Sequence, residues 1–240
     1  MAHPTNVLLS SALEGYVAHS KGKGSSPGLV VMMEAFGITG HIQGVCERLA
    51  RAGFVAAAPD IFHGDVISYT DTSKVMAKIP TIRDDQVLSE IGQTITWLGQ
   101  QKGVAKDRLG IIGFCMGGRF AFYANCRFPD KLKVAVGFYG GGIAPDGADR
   151  FGRTPPISEA EKMQAPMYLG YGADDQSIPP AEHARIAEKL SALKKRYTLA
   201  VYPRASHGFL CEERASYAPA AAELAWREII AFLRTNLGVD

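Results

Sequence analysis

Short apolar runs alternate with longer amphipathic stretches along almost the whole chain. Residues 29–33 form a β-branched, apolar run after the turn-rich KGKGSSPG and predict a strand; 41–51 then spaces Val45, Leu49 and Ala50 as a helix does. A second buried strand is expected over 54–58, stopped by Pro59, and a helix over 82–98, where Val87, Ile91, Ile95 and Leu98 recur at helical spacing. The alternation continues with a strand over 109–114, a helix over 117–127, strands over 134–138, 167–171 and 198–202, and helices over 180–194 and 218–237. This order predicts the α/β class, a mostly parallel twisted sheet with helices on both faces. Residues 140–164 are rich in glycine and proline and weakly periodic; they read as a loop with one short helix over 158–163 that can wall a site. With no repeat of fixed period and no Pro/Ser linker between two cores, residues 1–240 are expected to form a single domain.

Composition narrows the functional classes. The chain has 47% hydrophobic and 21% charged residues, and a single domain of 240 residues buries roughly 70–75% of its extended surface. Its 26 basic and 24 acidic residues leave a net charge of +2, which provides no broad field to gather nucleic acid or anionic lipid. Cys46, Cys115, Cys126 and Cys211 are too few and too scattered for a disulfide framework, which points to a reducing compartment, and no Cys-x-x-Cys pair suggests zinc or a redox dithiol. The first residues lack a basic region followed by a sustained apolar stretch, so a cytoplasmic protein without a membrane span is expected. No Walker loop, G-x-G-x-x-G after a strand, H-E-x-x-H or close histidine pair occurs, so neither a nucleotide cofactor nor a metal is expected. A monomer is the simplest expectation, although the sequence does not fix the oligomeric state.

The chemistry concentrates in RLGIIGFCMGGRF, residues 108–120. An apolar strand runs into Gly113-Phe114-Cys115-Met116-Gly117 and then a helix, the context of a nucleophile elbow. Such a turn needs glycine two residues either side of the nucleophile, because side chains there would strike the neighbouring strand and helix. Cys115 would then stand above the sheet at a helix N-terminus, which favours a thiolate and later an oxyanion. On the motif alone, a second reading stands beside this one: a small buried cysteine in a close strand-to-helix turn. The later chain favours the elbow. The order nucleophile, acid, histidine is met by Asp174 and Asp175 after the strand in YLGYGADDQSIPP and by His207 in YPRASHGFLCEE. Among His3, His19, His41, His63, His183 and His207, only His207 occupies a glycine-flanked loop after a late strand.

These residues resemble the dienelactone hydrolase (carboxymethylenebutenolidase) family of α/β hydrolases. The resemblance rests on MEAFG at 33–37, APDIF at 58–62, GFCMGG at 113–118, GFYGGGI at 137–143, GADDQSIP at 172–179, and SHGF with a downstream RASY at 206–217. It implies an α/β-hydrolase fold, no cofactor, and a small lactone or ester substrate attacked by Cys115, with Asp175 as the acid, His207 as the base and a thioester intermediate. Asp174 is then a solvated neighbour, although an exchange of roles with Asp175 stays open on sequence alone. The resemblance also implies a catalytic Glu34, which otherwise reads as a strand-ending structural acid; beside Cys115 its carboxylate would hold the thiol protonated at rest. It places the backbone N–H groups of Ala35 and Met116 at the oxyanion and makes Phe36 and Tyr139 walls of the substrate pocket. One departure matters. Four residues beyond His207, where a dienelactone-specific enzyme carries an arginine for the substrate carboxylate, this chain has Cys211. Lys74, Arg83, Arg119, Arg204 and Arg214 are the alternative cations, with Arg214 in the same loop. The loss of that arginine keeps a rival reading open, a non-catalytic ligand-binding or sensor protein on the same fold.

Overall fold

A computed structural model describes residues 5–22, 24–148 and 151–239. The central strands are apolar on both faces because both faces are covered. β3 (Ser26–Met32), β4 (Val55–Pro59), β5 (Val104–Phe114), β6 (Val134–Phe138) and β7 (Met167–Gly172) are almost wholly buried, whereas β8 (Tyr197–Tyr202) is a half-exposed edge. β1 (Val7–Leu8) and β2 (Glu14–Ala18) precede them, and the eight strands lie in the order β1-β2-β4-β3-β5-β6-β7-β8. β3 to β8 are parallel, and β1 and β2 add an antiparallel margin.

The connecting helices are α1 (Gly40–Arg51), α2 (Thr72–Lys78), α3 (Asp84–Gln100), α4 (Met116–Arg127), α5 (Pro180–Ala192) and α6 (Pro219–Leu237). α3 and α4 pack together against the central strands, while α1 and α6 meet on the other face, where the Arg48 guanidinium lies 4.4 Å over the Trp226 ring. Among the described residues, no helix is long and apolar enough to cross a membrane.

The expected strands and helices are found with end shifts of a few residues. β5 starts five residues before the expected Leu109, because Val104 and Ala105 already pair with β3 ahead of a register shift between Pro27 and Gly28. Pro59 is the last residue of β4 rather than the residue beyond it, and it pairs with Gly15 at the antiparallel margin. The 140–164 segment holds a 3-10 turn at Pro156–Lys162, slightly earlier than expected. The β1–β2 hairpin and α2 were not expected. β1 is two residues long, and α2 buries none of its residues, so neither leaves a strong periodic signal.

The topology determines where a site can form. β5 lies at the middle of the parallel array, and the turns after β3, β5, β7 and β8 open on the same edge, at the strands' C-terminal ends.

Candidate active site

Cys115 sits between β5 and α4 with φ 54° and ψ −120°, a conformation that a non-glycine residue rarely adopts. The turn is forced by close approach. A Cβ at Gly113 would collide with the Gly117 carbonyl, and one at Gly117 with the Met32 carbonyl at the end of β3. One at Gly118 would lie 2.6 Å from the Phe138 oxygen. The Cys115 N–H donates to Phe138 O at 3.0 Å, tying the elbow to β6. Met116, the first residue of α4, has a backbone N–H with no acceptor required inside the helix, and Ala35 follows β3 on the same edge.

The acid and the histidine arrive from the turns after β7 and β8. Asp174 N donates to Ala205 O at 2.9 Å, and a Cβ at Gly172 would overlap that same carbonyl, so the two turns are pressed together. Asp175 is buried, whereas Asp174 is exposed. The Asp175 Oδ1 accepts from Ser177 N at 2.7 Å, and its Oδ2 lies 2.8 Å from His207 Nδ1. The other ring nitrogen, Nε2, lies 3.1 Å from Cys115 Sγ. The Tyr139 ring supports the imidazole face with centroids 5.2 Å apart.

Charge within this line is mutually supporting. Burial opposes a charge on His207, but the Cys115 sulfur and the Asp175 carboxylate outweigh it and lift the imidazole to about 10. For Asp175, burial alone would raise the carboxyl; the His207 hydrogen bond and charge, with the N–H groups of Ser177 and Ile178, hold it below the usual range. The other cysteines differ in setting. Burial pushes the Cys46 thiol strongly upward, Cys126 to about 12 and Cys211 to about 11, whereas Cys115 is partly exposed. Iodoacetamide is therefore expected to label Cys115 ahead of the other three, as read by peptide mass spectrometry. Preferential labelling of Cys46 or Cys126 would contradict that reading.

Glu34 is 1% exposed, and burial raises its carboxyl despite the opposing pull of Arg214 and His207. Its Oε1 accepts from Arg214 Nη1 at 3.3 Å. The expected thiol–carboxylate hydrogen bond is not among the contacts of the described residues; Cys115 meets His207 instead, and Glu34 meets Arg214. The Arg214 guanidinium also lies 5.3 Å over the Phe36 ring, whose edge meets Tyr69 at 4.6 Å. Gly208, at φ 79°, leaves the space that Arg214 occupies, since a Cβ there would overlap Nη1. Phe36 and Tyr139 are thus both at the site, but Tyr139 is wholly buried and its hydroxyl has no hydrogen-bond partner among the described residues.

The remaining cations divide by environment. Arg119 is buried and bidentate to Asp84 at 2.9 and 2.7 Å, which removes it from substrate recognition. Lys74 pairs with Asp71 on the surface of α2. The sequence did not anticipate a meeting of Glu34, His41 and Cys211, each of which presents one donor atom within 4.8 Å of the others. Burial lowers the His41 imidazole to about 4, with the Arg214 charge adding to that effect, so His41 is neutral near pH 7. Its place at the start of α1 gave no sequence signal, because the convergence depends on two other segments.

The dienelactone hydrolase family model matches residues 13–237. A candidate carboxymethylenebutenolidase of Synechocystis sp. is 33% identical over 234 residues, covering 94% of this chain and 92% of its own. A candidate 2-oxo-3-(5-oxofuran-2-ylidene)propanoate lactonase of Bradyrhizobium sp. is 32% identical over 225 residues, covering 92% of this chain and 89% of its own. The crystal structure of a candidate dienelactone hydrolase from Klebsiella pneumoniae superposes with a TM-score of 0.84 at 32% identity, covering 92% of each chain.

Proposed function

This chain belongs to the dienelactone hydrolase family, and from that premise we propose that it is a carboxylic ester hydrolase that opens small lactones or enol esters with Cys115 as nucleophile. The observation that carries the reading is the unbroken line from Asp175 Oδ2 through His207 to Cys115 Sγ, with separations of 2.8 and 3.1 Å. The three residues lie in separate turns, and a structural role requires no such alignment of thiol, imidazole and carboxylate.

In this reading, the proton shared between Cys115 Sγ and His207 Nε2 rests on the imidazole as Sγ attacks the carbonyl carbon and the carbonyl π pair moves to oxygen. That oxyanion meets the N–H groups of Met116 and Ala35. Collapse of the tetrahedral intermediate expels the alkoxide or enolate, which receives the proton from His207, and leaves a thioester on Cys115. Water then attacks with His207 as base; the sulfur departs, is reprotonated, and the acid is released. Asp175 holds the imidazole in the required tautomer throughout. Glu34 enters no bond-making step: its carboxylate anchors Arg214 beside Phe36 and sets the charge near the elbow.

Thiolate attack restricts the substrate. A thiolate is readily expelled from the tetrahedral intermediate, so the reaction goes forward only when the competing leaving group is also stable, as in lactones and enol esters but not peptides. Arg214 is the cation closest to Glu34, but its guanidinium is already paired there. A panel of lactones, enol lactones and short esters with and without a free carboxylate would show whether that cation also recognises substrate.

The direct test is rapid-quench mass spectrometry during turnover. A transient acyl mass on the peptide containing Cys115 is expected, together with its loss in Cys115→Ala. Turnover with no acyl-enzyme and no dependence on Cys115 would exclude the proposal.

A further inference from the structure

We propose that Glu34, His41 and Cys211 form a binding site for one divalent transition-metal ion of borderline softness, zinc above all, beside the nucleophile elbow. Their three donor atoms, a carboxylate oxygen, a ring nitrogen and a thiol sulfur, lie within 4.8 Å of one another. Each is an ordinary zinc donor. The mixture disfavours magnesium and calcium, which select oxygen ligands, and suits an ion that accepts imidazole and thiolate together.

A second observation points the same way. Glu34 Oε2 and His41 Nε2 are both buried without a hydrogen-bond partner among the described residues. Leaving a buried polar atom unsatisfied is unfavourable, so two of them on residues of one cluster form a feature that a ligand would relieve. Bonds of about 2.0–2.3 Å to a tetrahedral ion put neighbouring donors roughly 3.3–3.7 Å apart. With all donors within 4.8 Å of one another, the widest pair has to close by no more than about 1.5 Å.

The surrounding contacts resemble the outer shell that such ions use. Arg214 engages Glu34 Oε1 at 3.3 Å and leaves Oε2 free, fixing the carboxylate's orientation. The Tyr69 hydroxyl beside Cys211 donates to Thr39 Oγ1 at 2.8 Å. Three protein donors leave a fourth position for solvent, and a cleft of about 240 Å³ lined in part by His41, Glu212 and Glu213 leads to the imidazole. Binding converts the Cys211 thiol to thiolate and releases its proton to solvent; no oxidant or reductant takes part. The site shares no residue with the Cys115–His207–Asp175 line, so it does not depend on that line being catalytic.

The test uses the full-length protein stripped with chelator and titrated with CoCl2, then with ZnCl2. One cobalt per chain is expected, with a thiolate-to-cobalt charge-transfer band in the near ultraviolet that zinc abolishes by displacement. Cys211→Ser should lose the band, and Cys115→Ala should keep it. His41→Ala should weaken zinc binding by calorimetry by at least about 100-fold, the upper end of what loss of an outer-shell partner costs. Circular dichroism establishes that each variant is folded, and His41→Ala carries the test if Cys211→Ser is not. Absence of the band, its survival in folded Cys211→Ser, its loss in Cys115→Ala, or unchanged zinc affinity in His41→Ala overturns the site.

Discussion

Replacement of Cys115 or His207 by alanine is expected to lower kcat/KM on a responsive lactone or ester by on the order of 10⁵-fold, and the double variant is expected to be no slower than either single one. Sulfur and imidazole are 3.1 Å apart and have no independent task in the proposed reaction. Without the thiol, the base has no proton to take; without the base, the thiol loses the acceptor that makes it a nucleophile. At about 1.36 kcal/mol per decade, such a loss corresponds to about 7 kcal/mol of transition-state stabilisation. A residual rate above the uncatalysed reaction should survive, because the Met116 and Ala35 N–H groups and the pocket remain. The measurement is steady-state kinetics on folded variants. Near-normal turnover in either single variant would remove Cys115 and His207 from the chemistry, and strictly additive losses would mean that they act separately.

The elbow was legible in the sequence because its glycines are dictated by contact. Gly113 and Gly117 are spaced around Cys115 by the approach of the turn to α4 and of α4 to β3, so both glycines are fixed by the elbow's own geometry. The parallel strands were legible for a related reason: burial on both faces leaves continuous apolar runs such as VAVGF in β6. Elements at the periphery carried less information. β2 alternates buried and partly exposed residues over only five positions, and α2 has no buried residue to mark its period.

Side-chain convergence was the least legible feature. Arg214 and Glu34 are separated by 180 residues, and their pairing depends on the space left by Gly208 and on stacking over Phe36. Nothing in the spacing of MEAFG encodes that partner. Cys211 stood out in the sequence only as the residue found where an arginine was expected. In the fold it lies against Glu34, His41 and Tyr69, so its position has its own polar surroundings rather than an unfilled version of another recognition site.

For Asp175→Asn, a loss in kcat on the order of 10⁴-fold is expected with little change in fold, because the substitution alters a tautomer rather than a volume. The carboxylate uses both oxygens: Oδ1 accepts from Ser177 N at 2.7 Å and Oδ2 faces His207 Nδ1 at 2.8 Å. Asparagine has one acceptor. If that oxygen stays on the Ser177 N–H, the amide N–H points at Nδ1 and forces the ring proton onto Nε2. The nitrogen facing Cys115 Sγ then cannot accept the thiol proton. If the amide flips, two donors oppose each other at Ser177, a buried mismatch that costs comparable free energy.

Alkaline pH should restore part of the activity, since hydroxide can ionise the thiol without help from the ring. Stability should follow the opposite end of the scale. The Asp175 carboxyl is held below its ordinary value, so its contribution is present above about pH 4 and is lost as pH falls through the lower folded-state value. The Tm gap between wild type and Asp175→Asn is therefore expected to narrow below about pH 4. The exposed neighbour provides the control: Asp174→Asn should retain activity. Loss of turnover in Asp174→Asn with retention in Asp175→Asn would exchange their roles and break the proposed line to His207.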